Sequence, residues 1–286
     1  KSMKKRWLSI LLVCGMLLTT LPSAVFAEGE TDVSINETNF PDANFRTVVK
    51  EYDTDKDENL SRVEIEAVKE IKCYHKDIRS LTGIEYFTAL QTLKCYSNQL
   101  TSLDISGNTA LKSLDCAKNQ LAALDVSQNT ALESLNCADN QVTSLDISQN
   151  TALEYLICAS NKLTALNVSG NATLKFLNCE SNELTALDVN RNTALNTLNC
   201  RNNRLTSLNV SLNLNLQDLN CATNQLSALD VQKNTALKSL YCGYNQLTVL
   251  DVGQNRSLES LSCNNNLLTT LDVSQNTRLN LLLCFN

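Results

Sequence analysis

Only one histidine, His75, occurs in the 286 residues. A Ser-His-Asp or Cys-His device would have to be built on it, because such catalysts need an imidazole to take the nucleophile's proton. His75 lies in an irregular stretch and reads as a plain surface residue. Clustered cations are scarce too, for beyond Lys4, Lys5 and Arg6 the Lys and Arg residues stand singly among Asn, Ser and Asp. Phosphate backbones and anionic membranes are bound by grouped cations, so neither is an expected partner of a chain with formal net charge −6. No lone acidic pair interrupts the pattern described below, as a polysaccharide-cleaving cleft would require. Long apolar runs are missing as well. The run from Trp7 to about Leu21 falls short of the roughly 20 residues that span a bilayer. Basic residues precede it and Ala24-Val25-Phe26-Ala27 follows, the arrangement of an export signal cleaved after Ala27. Cleavage removes four cations and no acid, so the exported chain is expected to be soluble, more acidic and free of membrane insertion.

What the sequence does have is a period. Cys73 is followed by Cys95 after 22 residues, and then a cysteine recurs every 21 residues from Cys116 to Cys284. One unit, LKSLDCAKNQLAALDVSQNTA from Leu111 to Ala131, places apolar residues at Leu111, Leu114, Cys116, Leu121, Leu124 and Val126. This is the leucine-rich-repeat pattern LxxLxLxxNxL with Cys in place of the third Leu. Leu114 and Cys116 alternate with polar neighbours, which predicts a short strand with one face buried, and stacking the units predicts a parallel sheet. The second half, through Leu124 and Val126, predicts another extended segment on the opposite wall, since 21 residues leave little room for a helix. Two asparagine columns, Asn98 to Asn266 and Asn108 to Asn276, are expected to turn inward. A buried carboxamide supplies the donors and the acceptor that the turning backbone cannot obtain from water.

Cysteine-bearing 21-residue leucine-rich repeats behind an export signal resemble the internalin-type surface proteins of Gram-positive bacteria, over about residues 71–286. The resemblance implies a bacterial surface or secreted protein used in adhesion or recognition. The first coil departs from the pattern, with Lys76 where the Asn should stand and a longer spacing through Thr82 to Tyr86, and reads as transitional.

An exported cysteine-rich chain ordinarily suggests disulfides. Here consecutive cysteines would sit in register on parallel strands about 4.8 Å apart, with side chains running side by side rather than converging. A straight column cannot surround zinc tetrahedrally either. The cysteines are therefore expected to act as small buried hydrophobes.

Residues 28–70 are expected to form a small helical EF-hand-like cap over the open end of the stack. Phe45, Val48, Val49 and Tyr52 suit one face of a helix beginning near Pro41, and Val63, Ile65, Val68 and Ile71 suit a second. Between them DTDKDENLSRVE matches the spacing of a calcium loop, with candidate ligands Asp53, Asp55, Asp57, Asn59 through its carbonyl, Ser61 and Glu64. Glu58 stands where that pattern has Gly, and a left-handed conformation there costs roughly 1 kcal/mol. One structural Ca2+ is the expected cofactor, with a solvated acidic turn as the alternative.

The predicted architecture is a leucine-rich-repeat solenoid with a parallel sheet on its concave face, short extended segments opposite and little helix. Among the outward positions of the strands, mostly small or polar, Tyr155, Ile157 and Phe176 stand out on consecutive coils as candidate ligand contacts. Tyr241 and Tyr244 form a second group, and Tyr74 and Tyr96 a third near the cap. A further column, Asp104 to Asp272, is expected to bond the amides of its own turns. The expected function is a noncatalytic, monomeric module, secreted or held at the cell wall through residues beyond Asn286, binding a protein or glycoprotein. The alternative is a polysaccharide-binding or polysaccharide-degrading solenoid. Because Cys284-Phe285-Asn286 follows a strand with no polar closing unit, the chain is expected to continue.

Overall fold

The computed structural model describes residues 32–285, and the export signal expected at 1–27 lies outside them. The described chain begins with strand β1 (Val33–Ser34), helix α1 (Ala43–Val49), strand β2 (Asn59–Leu60) and helix α2 (Arg62–Ala67). Eleven three-residue strands follow: β3 (Glu70–Lys72), β4 (Thr92–Lys94), β5 (Ser113–Asp115), β6 (Ser134–Asn136), β7 (Tyr155–Ile157), β8 (Phe176–Asn178), β9 (Thr197–Asn199), β10 (Asp218–Asn220), β11 (Ser239–Tyr241), β12 (Ser260–Ser262) and β13 (Leu281–Leu283). They pair in parallel, each with its sequence neighbours, and Leu93, Leu114 and Leu135 stand opposite one another in the ladder. The middle residue of each strand from β4 to β12 is buried and its two neighbours are less so, as the period of two requires.

Each coil from Leu111 to Val252 sends the same six side chains inward. In the unit quoted above Leu111, Leu114, Cys116, Leu121, Leu124 and Val126 are all buried. The side opposite the sheet is built from turns rather than strands, since no second strand per coil occurs among the described residues. Backbone bonds there run within a coil, such as Asn129 N–H to the Val126 carbonyl at 3.0 Å, and between coils, such as Gln120 N–H to the Leu100 carbonyl at 2.8 Å. After each strand from β4 to β12 one residue takes a left-handed conformation, for example Lys118 at φ 54° and Thr223 at φ 57°. That bend aims its N–H at the next coil, where Lys118 donates to the Ala138 carbonyl at 2.8 Å.

The two asparagine columns do different work. Asn119 donates to the carbonyls of Cys95, Cys116 and Ala117 and accepts from the Leu100 amide, so it links two coils through both ends of the carboxamide. Asn129, wholly buried, donates to the carbonyls of Ile105 and Asn108, but its Oδ1 has no partner among the described residues. The same holds for the rest of the second column, contrary to the expectation that both ends would be used. Only an NH2 offers two donors at that length, which explains Asn over Asp or Ser. Nothing in the structure explains the unpaired oxygen.

The N-terminal segment holds the two expected helices, both shorter than the sequence pattern suggests. Helix α1 is capped by Asp42, whose Oδ1 accepts from the amides of Asn44 and Phe45, and Phe45, Val48 and Val49 face inward. The other oxygen of Asp42 accepts from Arg79 and Ser80 in the first coil, so one carboxylate both starts the helix and fastens it to the solenoid. Tyr52 lies past the helix end and packs its ring on Phe87 at 5.9 Å. Helix α2 is shorter than the pattern suggested. Val68 is already extended at ψ 109°, Val63 is 78% exposed, and Ile71 belongs to β3, opposite Leu93. Alternation of Ile71 with Glu70 and Lys72 lets the edge of the sheet take this stretch. Phe40 fills the junction, 6.2 Å from Phe45 and 5.8 Å from Tyr86. At Gly83, φ +100°, a Cβ would stand 2.3 Å from the Phe40 ring, so no other residue fits.

Ser61 caps α2 and Glu64 completes a reciprocal box with it. The Glu64 carboxylate also accepts from the amide and hydroxyl of Thr54, each at 2.6 Å, and these bonds, with those from Ser61, hold its pKa down at about 2. A carboxyl depressed in the folded state stabilises it above the unfolded value near 4.5 and loses that contribution as pH falls towards 2. In calcium-free buffer, melting temperature should drop across that window. Glu64→Gln should flatten the drop, and an unchanged acid slope in the variant would remove Glu64 from the account.

The eleven repeat cysteines are free thiols; ten are buried, and Cys284 on the terminal coil is exposed. Burial pushes Cys137 and Cys179 up to about 12, so they are neutral at physiological pH. A thiol reagent should therefore label no more than one repeat cysteine in the native chain and ten more after unfolding. Labelling of most of them in the native state would contradict the packing role.

Candidate functional site

The outward face of the sheet is set by the strands themselves, because residues on either side of each buried Leu point away from the core. The first outward column runs Thr92, Ser113, Ser134, Tyr155, Phe176 and Thr197, and the second runs Lys94, Asp115, Asn136, Ile157, Asn178 and Asn199. Tyr155 and Phe176 are direct partners across β7 and β8, and their rings stack with centroids 6.4 Å apart at 30°. Tyr155 is 48% exposed, and Ile157 and Phe176 are half-buried beside it. The three expected contacts thus form one apolar island.

The second column shows why Ile157 matters. Asp115, Asn136, Asn178, Asn199 and Asn220 each accept through Oδ1 from the backbone amide two residues on, at 3.1 to 3.2 Å. Ile157 interrupts this row and forgoes that bond. A substitution with a local cost, placed next to two aromatic rings, makes Ile157 part of the candidate site.

The other aromatic groups fare differently. Tyr241 is half-buried and Tyr244 is 57% exposed at φ 56°, but their rings make no contact with each other, so the structure does not join them. Tyr74 and Tyr96 stack at 4.6 Å and 7°, with the His75 ring edge-on to both. Among the described residues no hydrogen bond joins His75 to a carboxylate, hydroxyl or thiol, and burial pushes the thiol of neighbouring Cys73 up to about 12. The geometry for nucleophilic catalysis is not assembled there.

Near the Tyr155 island the structure adds residues that sequence reasoning passed over. Glu180 and Arg201 occupy a position that is Ala117, Ala138, Ala159 and Ala222 in other coils. That break in the repeat was the available signal. Asn199 donates to Glu180 Oε2 at 2.8 Å, whereas Arg201 Nε lies 3.9 Å from Glu180 Oε1.

In the N-terminal loop, carboxylate oxygens of Asp53, Asp55 and Asp57 lie within 4.8 Å of one another. Asp53 accepts from the amides of Lys56, Asp57 and Glu58, and Asp57 accepts from Asn59. Glu58 adopts φ 64°, the left-handed state that its place in the loop demands. Strands β1 and β2 pair antiparallel and fix the loop's end, where Leu60 is fully buried. Loss of hydration and the charge of Asp57 push the Asp55 carboxyl up. Ser61 and Glu64 are engaged in capping α2 and do not join the aspartate trio. In the Asp104 to Asp272 column, Asp104 accepts from the amide and hydroxyl of Ser106, and Asp125, Asp146 and Asp272 repeat the amide bond, as expected of turn residues.

No helix among the described residues is long and apolar enough to cross a membrane. No family model matches the chain. A 71-residue stretch, 24% of the chain, is 41% identical to Internalin J of Listeria monocytogenes and spans 8% of that protein's length. The solved functional domain of InlJ from Listeria monocytogenes, described as including a cysteine ladder, superposes with a TM-score of 0.75 at 35% identity. That superposition covers 89% of this chain and 62% of the other. A leucine-rich-repeat protein of Leptospira interrogans superposes with a TM-score of 0.67 at 29% identity, covering 71% of this chain and 56% of that one. The periodic core, the parallel sheet and the column of buried thiols therefore have one common reading: this chain is a leucine-rich-repeat solenoid similar in sequence and fold to the cysteine-ladder repeats of internalin J.

Proposed function

We propose that the chain is a noncatalytic recognition module, exported and displayed outside the cell, that binds a protein or glycoprotein through the outward face of its sheet. The carrying observation is the island of Tyr155, Ile157 and Phe176 in a face otherwise built mainly of Ser, Thr, Asn and Asp. Aromatic anchors in a polar surround are what concentrates binding energy in an interface. The repeat supplies its own control, since coils before and after carry small polar residues at the same positions. The absence of an assembled nucleophile around His75 supports binding over catalysis. Similarity to internalin J supports a place at the bacterial surface.

In the same reading, the Asp53, Asp55 and Asp57 cluster holds one structural calcium ion, with the Asn59 carbonyl beside it, while Ser61 and Glu64 stay with the cap of α2. Hard carboxylate oxygens converging on one point suit that ion. Its role would be to staple the N-terminal segment over the first coil. Adding EDTA should lower the melting temperature of the calcium-loaded protein, and superimposable curves would remove the metal from the proposal.

The binding face is tested with labelled protein on intact cell surfaces, before and after protease treatment of the cells. Tyr155→Ser combined with Phe176→Ser should weaken capture by about tenfold or more. The melting curve should shift little, since only one stacked pair worth about 1 kcal/mol is lost. Equal capture by the variant and the parent would show that another surface is used.

A further inference from the structure

The residues around the island specify more than a generic sticky patch. Glu180 is opposite Arg201 in the register that continues β8 and β9, and Glu180 sits in the same coil as Phe176. Charges placed opposite each other on neighbouring strands ordinarily neutralise one another. Here they do so poorly. The Glu180 carboxylate is held by the Asn199 carboxamide at 2.8 Å, and Asn199 is itself pinned by the Arg201 amide to its Oδ1 at 3.1 Å. Glu180 therefore has a partner other than Arg201. The guanidinium approaches it only through Nε, at 3.9 Å, its side chain is 53% exposed, and its two terminal nitrogens have no partner among the described residues.

An exposed guanidinium with a free fork is suited to a planar carboxylate, which it can grip through two parallel bonds. Arg201 lies two strands from Ile157 and two residues further along, so their backbones are separated by roughly 12 Å at ordinary strand spacing and rise. An extended polypeptide covers that distance in about four residues, fewer once the reach of the arginine is counted. Apolar anchor and cation thus stand at a separation that one short extended segment spans.

Resting on the proposed use of this face, we propose that its ligand is an extended polypeptide segment. The segment places a bulky apolar side chain on Tyr155, Ile157 and Phe176, and an Asp or Glu within about four residues on Arg201. The aromatic island supplies the contact area, and Arg201 supplies direction along the solenoid and discrimination by charge.

The test is to pan a library of random displayed peptides against the immobilised full chain and three variants. Two are Arg201→Glu and Arg201→Gln, and the third combines Tyr155→Ser with Phe176→Ser. All three are first checked for an unchanged melting curve. The parent should enrich peptides with a bulky apolar residue and a nearby acid. Arg201→Gln should lose the preference for the acid, Arg201→Glu should replace it with Lys or Arg, and the double variant should enrich nothing. The same acidic preference on Arg201→Glu as on the parent overturns the proposal while leaving the face as the binding site. Enrichment that survives the double variant overturns the use of the face itself, and so does a library that yields no binder on the parent when glycans immobilised on an array are not bound either. Glycan binding lost in the double variant, with no peptide enriched, overturns the polypeptide and assigns the face to carbohydrate.

Discussion

A stack of short coils must turn its backbone twice in every repeat, away from water, and the side-chain carboxamide of asparagine is what makes this tolerable. In the first column each Asn bonds carbonyls of its own coil and of the coil before, and accepts an amide, as Asn119 does between Cys95, Cys116 and Leu100. In the second column each Asn gives both protons to the preceding coil, as Asn129 does to Ile105 and Asn108. A buried backbone group left without a partner costs far more than a typical hydrogen bond returns. The columns therefore set where the chain may turn, the turns set the strand register, and the register sets which side chains reach the surface.

Cysteine follows from the same constraint. The position after the strand must be small enough to let the Asn turn close beneath it and apolar enough to be sealed in the core. Cys116 and its buried equivalents meet both needs and are unbridged, their neighbours lying alongside rather than facing them. What looks like redox chemistry in the sequence is, by its burial, a packing device, and its practical value is as a register mark. Counting from each cysteine identifies Tyr155 and Phe176 as outward residues on adjacent strands.

A repeat of this regularity makes its exceptions informative. Where coil after coil offers Ser, Thr or Asn, the substitution of Tyr, Ile and Phe gives up local hydrogen bonding, as Ile157 does in the row from Asp115 to Asn220. The replacement of Ala by Glu180, in the coil of Phe176, and by Arg201, in the next coil, has the same character. Neither departure is needed to hold the solenoid together, since equivalent coils stand without it. The two fall close together, and this clustering gives the face a position and a direction.

The order of the coils, the inward columns and the identity of the exposed aromatics were legible in the linear sequence, because a solenoid contacts itself only between neighbouring repeats and its period is therefore its topology. The N-terminal segment was less legible. Val63 and Ile71 look like one helix face, yet β3 claims Ile71 for the sheet, and only the presence of β4 beside it decides that. Asp42 looks like an ordinary helix cap, and its second bond, to Arg79 and Ser80, crosses from the first helix to the first coil. Glu64 stands at a ligand position by spacing, while folding hands its carboxylate to Thr54 and Ser61. Arg201 is one more scattered cation in the sequence, and it becomes a directed, available group only when Asn199 draws Glu180 away. Periodic local contacts are written in the sequence itself, whereas competition among several partners for one side chain is resolved only in three dimensions.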